Sequence, residues 1–314
     1  QSERYFNCSD VHFFKPLKRL IIALPFLMVI MAMGCSKTPA EQHEIGVAYL
    51  NLDSGDTFFH SEKTVFHAAS TMKTPVMFQL YRMRDAGQLS LEDSLPVINE
   101  FNSIVDGSNY SIELIEEEEK SLMGNINNKM AVRHLIKAMI ATSSNLATNI
   151  LIELADPEAV MATLKETGAD GVSVIRGVED LKAFDQGLSN RTDAYGMMMA
   201  MKAVFDSQLV SVKSRQEMIG ILKSQQFNEM IPAGLPAGTS VAHKTGRITG
   251  ITHDAAIVMP ENDSPFVLVI LTRGWADYTL ATGAGIEITK AAFQYHRGKV
   301  LTESLRKLIN ELEN

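Results

Sequence analysis

His67-Ala68-Ala69-Ser70-Thr71-Met72-Lys73-Thr74-Pro75-Val76 places a serine and a lysine three residues apart, after a pair of small residues and before an apolar run. If a helix begins at Ser70, positions i and i+3 share a face, and hydroxyl and amine come within hydrogen-bond reach. A serine hydroxyl is a weak nucleophile until a base takes its proton. A lysine in a desolvated site loses its charge and can serve as that base. The same spacing also suits a solvated lysine one turn after an N-terminal serine, so the fragment gains meaning only from the rest of the chain.

Upstream, Ile45–Leu52 and Thr57–His60 are rich in β-formers and flank the turn Asp53–Asp56, which predicts a β-hairpin. Downstream, Pro75–Arg84 has helical periodicity and stops near Gly87. Further helices are expected over Ala131–Ile140, Asn145–Leu154 and Glu158–Glu166, and from Thr192 through the methionines Met197–Met201, which read as core filler. The run Glu116–Glu119 reads as a solvated acidic face. Strands return at Ser240–His243, Asp254–Met259 and Phe266–Thr272, and a last helical region runs from about Ile286, broken near Gly298. Strands at both ends with helices between predict an α+β fold. An antiparallel sheet from both chain ends, with flanking helices, would cover about 45–69 and 210–314; an all-α subdomain would cover about 70–209.

The chain has 314 residues, 46% hydrophobic and 21% charged, enough for a large core in one or two domains. Residues 1–34 carry four basic and two acidic side chains, which leaves 25 basic against 35 acidic in the remainder, a net −10. Such an acidic body excludes the basic footprint that nucleic-acid binding needs. Lys15, Lys18 and Arg19 precede the apolar run Leu20–Met33, too short for a comfortable membrane span, and Gly34-Cys35-Ser36 follows. This pattern resembles a signal peptide ending in the lipobox of bacterial lipoproteins. The resemblance implies a leader over 1–35, lipidation at Cys35, a tether over 36–44, and an exported, periplasmic, membrane-anchored body. The only cysteines are Cys8 and Cys35, so the body offers neither a cysteine nucleophile nor cysteine-ligated zinc. The eight histidines show no H-x-x-x-H or H-E-x-x-H spacing, so neither metal nor cofactor is expected.

Two further motifs complete the Ser70 segment. Ser143-Ser144-Asn145 stands at an expected helix start 73 residues on, and Lys244-Thr245-Gly246, followed by Arg247, comes 101 residues later after an expected strand. S-x-x-K, S-x-N and K-T-G in this order are the signature set of penicillin-recognising serine enzymes. The chain therefore resembles a class A serine β-lactamase of the β-lactamase/penicillin-binding superfamily from about Ile45 to the C-terminus, and Asn149 also fits the family pattern. The resemblance implies a β-lactamase/transpeptidase-like fold with the site in the cleft between its two parts.

It also implies a hydrolase that acts as a monomer on small β-lactams. Ser70 would attack the lactam carbonyl, and Lys73 and Ser143 would relay protons, Ser143 to the departing nitrogen. The N–H groups of Ser70 and Arg247 would form the oxyanion hole. Asn145 would hold the substrate's side-chain amide, and Lys244 and Thr245 its carboxylate, with a second positive charge from Arg247 or Arg273. Glu179, 36 residues after Ser143 and flanked by Arg176 and Leu181, stands where class A enzymes keep their deacylating glutamate. Two departures stand out: Lys182 and Ala183 occupy the place of the asparagine that helps hold the water, and Ser144 stands where Asp is usual. They bear on release more than on acylation. The alternatives are a penicillin-binding D-Ala-D-Ala carboxypeptidase or transpeptidase and a non-catalytic binding lipoprotein of the same fold; the intact Ser70, Lys73, Ser143 and Lys244 weigh against the last.

Overall fold

The computed structural model describes residues 43–314; the expected leader, Cys8, Cys35 and nearly all of the expected tether lie outside the described residues. β1 (Glu44–Asn51) and β2 (Thr57–His60) form the expected hairpin, with Val47 opposite His60 and Leu50 opposite Thr57. β3 (Phe66–His67) leads into a 3-10 turn over Ala69–Met72 and then α1 (Lys73–Asp85). The helix expected from Ser70 thus begins three residues later. Three short strands follow, β4 (Ser94–Pro96), β5 (Phe101–Asn102) and β6 (Asn109–Tyr110), before α2 (Glu116–Met123). β7 (Lys129–Ala131) pairs with β4 and enters α3 (Val132–Ala141).

The next helices start at polar caps. Ser144 caps α4 (Asn145–Ala155), and Asp156 caps α5 (Pro157–Glu166), whose first residue is a proline that needs no N–H partner. Asp180 caps the single turn α6 (Leu181–Asp185). β8 (Arg191–Thr192) pairs with β3. α7 (Ala194–Asp206) begins after its cap Asp193 rather than at Thr192, and α8 (Val212–Leu222) is capped by Ser211. β9 (Ser240–Ile248) continues through Lys244-Thr245-Gly246 rather than stopping at His243. β10 (Ile251–Met259), β11 (Phe266–Arg273), α9 (Tyr278–His296) and α10 (Thr302–Glu313) complete the chain.

The main sheet has the order β2-β1-β11-β10-β9 and is antiparallel throughout, so it is built from both chain ends as expected. It is covered on both faces, which explains its nearly continuous apolar strands. Ile45, Val47, Tyr49, Phe266, Leu268 and Ile270 pack in one core that also holds Ile288 of α9 and Leu305 of α10. Ala48, Leu50, Val267, Val269 and Leu271 face the other, which runs into α1, α3, α4 and α7 and takes in Met197, Met198 and Met201. Successive residues along β1 and β11 alternate between these two cores, as the period-2 geometry of a strand requires. β9 is left as an edge, against which the 3-10 turn carrying Ser70 packs. Among the described residues no helix is long and apolar enough to cross a membrane. Ile270 is fully buried, so Ile270→Ala should cost about 2–5 kcal/mol in urea denaturation, and a loss well under 1 kcal/mol would contradict this packing.

Candidate active site

The 3-10 turn places Ser70 and Lys73 at i and i+3, where side chains eclipse. Ala69, just before the serine, has φ +45, a conformation that costs a non-glycine residue of order 1–3 kcal/mol. Two histidines hold it there. His67 Nδ1 accepts the Ala69 N–H at 3.0 Å, and His253 Nε2 donates to the His67 carbonyl at 2.9 Å while its Nδ1 accepts the Thr272 N–H at 3.1 Å. Both roles need neutral imidazoles. Burial lowers the pKa of His67, helped by the Arg176 charge, and burial pushes His253 down to about 4.

Lys73 is 0% exposed. Its Nζ donates to Ser143 O at 2.6 Å, Ser143 Oγ at 3.2 Å and Asn145 Oδ1 at 2.8 Å; Ser70 Oγ is not among its partners. Lys244 is also 0% exposed, and its Nζ donates to the same Ser143 Oγ at 3.0 Å and to Thr245 O at 2.8 Å. One hydroxyl therefore lies between two buried amines. Burial lowers Lys73 to about 8, against the pull of Glu118, Glu119 and Glu179. Burial, then the neighbouring Lys73 charge, lowers Lys244 well below the usual lysine value.

The strand edge brings the third motif alongside. At Gly246 an added Cβ would come to 3.1 Å from both Ala69 Cβ and Ser70 N, so a side chain there would push the serine turn and β9 apart by a few tenths of an ångström. Ser70, Ser143, Thr245, Gly246 and Arg247 line one cleft of about 300 Å³, together with Glu118 and Tyr278. A larger recess between α1, α3 and α8 holds none of the three motifs. The structure separates the two candidate arginines. Arg247 lies over the Tyr278 ring at 4.6 Å, on the cleft. Arg273 is engaged elsewhere, with Glu44, the Val65 carbonyl and the Phe66 ring.

Glu179, at φ +60, is joined to the centre through Asn145, whose Nδ2 donates to Glu179 Oε1 at 2.9 Å while its Oδ1 accepts a hydrogen bond from Lys73 Nζ. Asn149 holds the adjoining Val178 by both backbone groups, at 2.7 and 3.0 Å. Gly177 is needed there, since a Cβ would sit 2.7 Å from Asn149 Oδ1. Lys182 turns away to Asp106 and Ser108, and Ala183 carries no polar side-chain atom, so neither supplies an amide beside Glu179.

The segment between the first two motifs supplies what the sequence reading missed. Ser103 Oγ and the Ile104 N–H donate to Asp180, and the Glu113 N–H donates to Glu179 Oε2 at 2.9 Å. The expectation that Glu116–Glu119 is a solvated face fails at Glu119, which is 1% exposed and bonded to the Ser144 hydroxyl and the Asn145 and Leu146 N–H groups. Its signal was the spacing: Glu119 lies three residues before the buried Leu122, on the inner side of α2. Glu118 is half-buried, and burial raises its pKa against the lowering effect of Lys73. Among the described residues no group of three or more His, Cys, Asp or Glu side chains is placed to hold a metal.

A model of the beta-lactamase enzyme family matches residues 35–296. A β-lactamase of Rhodobacter capsulatus is 26% identical over 226 residues, which cover 71% of this chain and 73% of the relative. The solved structure of PBP-A aligns with a TM-score of 0.69 at 22% identity, over 84% of this chain and 92% of that one. An ancestral (GNCA) class A β-lactamase aligns with a TM-score of 0.69 at 23% identity, over 81% of this chain and 95% of that one. These structural likenesses concern the fold, which is β-lactamase/transpeptidase-like, as expected.

The neutral state of His253 sets a direction in pH. Its native value, about 4, lies below the unfolded value of 6.5, so the stability it contributes is present above pH 6.5 and is lost as pH falls toward about 4. The loss should approach about 3 kcal/mol in a pH series of denaturant unfolding, and a curve flat across that window would contradict the buried neutral ring.

Proposed function

The chain belongs to the beta-lactamase enzyme family, and from that membership we propose that it is a serine hydrolase opening β-lactam rings through an acyl-enzyme at Ser70. The observation that carries this reading is the Ser143 hydroxyl held between Lys73 and Lys244, on the cleft that Ser70 lines. Lys73 takes the Ser70 proton as Oγ attacks the lactam carbonyl carbon. Ser143 gives its proton to the lactam nitrogen as the C–N bond breaks and is resupplied from the lysine amines. The N–H groups of Ser70 and Arg247 stabilise the oxyanion, the latter from an edge strand whose outward N–H groups have no sheet partner. Asn145 and Thr245 orient the substrate. Arg247, on the cleft wall, attracts its carboxylate, and the Lys244 amine, buried behind Ser143, offers a hydrogen-bond donor beside it.

In the second half-reaction Glu179 takes a proton from water. The water oxygen attacks the ester carbon, and Ser70 leaves with its proton restored. Without an amide at position 182 or 183 the water has fewer partners, which favours slow release. That same feature supports a second reading, a penicillin-binding acyltransferase that acylates and holds its adduct. Purified protein separates the two: sustained turnover of a chromogenic cephalosporin supports the hydrolase, and one burst with a persistent adduct supports the acyltransferase. No burst and no turnover would contradict both.

Two variants of this assay test the assigned roles. Because the neutral amine is the base, kcat/KM should rise with pH and level off above about 8, where Lys73 loses its proton; a flat profile from pH 6 to 9 would remove Lys73 from that role. Glu179→Gln should leave the burst intact and slow release by about 100-fold or more, and an unchanged steady-state rate would remove Glu179 from the mechanism. Export with lipidation at Cys35 is proposed from the basic residues, apolar run and Gly34-Cys35 ending alone. A mature N-terminus anywhere other than a lipidated Cys35 would contradict it.

A further inference from the structure

A helix begins with N–H groups that have no partner within the helix. At α4 the cap residue Ser144 takes one of them, accepting the Ala147 N–H at 2.9 Å. The Asn145 and Leu146 N–H groups remain. Glu119 Oε1 accepts both, at 2.7 and 3.0 Å, and Glu119 Oε2 accepts the Ser144 hydroxyl proton at 2.6 Å. The carboxylate thus stands at the positive end of α4, where negative charge is favoured. It comes from another helix, 26 residues before Asn145.

We propose that Glu119 is a positioning residue for the reaction: a carboxylate supplied by α2 that caps α4 from outside and holds the Ser143–Asn145 turn in its working geometry. The proposal rests on the reading of Ser70, Lys73 and Ser143 as the acylating centre. Ser143 sits at φ +60, a conformation its surroundings must hold in place. Its hydroxyl meets both lysines, and the Asn145 amide spans Lys73 and Glu179. Removing the carboxylate leaves two N–H groups unpaired at the backbone of this turn. The effect passes to Lys73, Lys244 and Glu179 through side chains that Glu119 does not touch. The same segment also donates the Glu113 N–H to Glu179, so residues 113–119 fix both ends of the Asn145 bridge.

A reversal of sign tests this. Ser144→Asp puts a second carboxylate against Glu119 and should lower kcat/KM for a chromogenic cephalosporin. Glu119→Ala should lower it about 10- to 100-fold, the span expected for buried N–H groups left unpaired. In the Glu119→Ala background Ser144→Asp should instead raise it at least about tenfold, because an Asp cap accepts helix N–H groups itself. Glu119→Gln, which keeps an acceptor oxygen on the same stem, should lose less than Glu119→Ala and carries the comparison if Glu119→Ala does not fold. Ser144→Asp lowering activity by the same factor in both backgrounds would overturn the proposal, as would Glu119→Ala within twofold of the parent. Amide hydrogen exchange at Asn145 and Leu146 reads the cap without turnover. It should be slow in the parent, fast in Glu119→Ala and slowed again at Leu146 by Ser144→Asp; slow exchange in Glu119→Ala would overturn the cap itself. A parent that neither turns over nor acylates would contradict the Ser70 reading and leave the exchange result to decide the cap.

Discussion

Two lysine amines, both out of contact with solvent, share one serine hydroxyl. An ionised amine buried without full compensation costs several kcal/mol, so this arrangement is a local expense that the surrounding structure must offset. The fold does so by bringing three separate pieces of backbone to one point. Lys73 comes from the start of α1, Ser143 from the turn before α4 and Lys244 from the edge strand β9. Each piece is anchored in apolar packing, α1 and α4 in the helical core and the sheet between both cores. Burial also sets the chemistry, since it drives both amines toward the neutral form in which one can accept a proton.

The strain around this point is local. Ala69, Ser143 and Glu179 all have φ near +45 to +60, and each adjoins or carries a group assigned to the reaction. Each is held by contacts from elsewhere. His67 takes the Ala69 N–H, the Lys73 amine binds the Ser143 carbonyl, and Asn145 and Glu113 bind the Glu179 carboxylate. Ser143 and Asn145 are tied by four hydrogen bonds to the two lysines, whereas neither residue 182 nor residue 183 presents an amide beside Glu179.

Much of this was legible in the sequence, for a physical reason. Ser70, Lys73, Ser143, Asn145, Lys244 and Thr245 sit in three short motifs whose joint order carries a signal that none carries alone, and the runs of β-formers at both chain ends indicated the sheet. Element boundaries were less legible, because caps decide them: Asp193 moved the start of α7, and the 3-10 turn moved that of α1. The choice between Arg247 and Arg273 depended on where each strand end lies relative to the cleft, which residue type does not encode. Glu119 was missed because four glutamates in a row read as solvated, and its role comes from a partner distant in sequence.

The central claim is that this cleft activates Ser70 for acylation. Peptide mapping by mass spectrometry after brief exposure to a penicillin tests it most directly. The account predicts one penicilloyl adduct, confined to the peptide containing Ser70 and absent in Ser70→Ala. An adduct on any other residue, or drug consumption undiminished in Ser70→Ala, would contradict it.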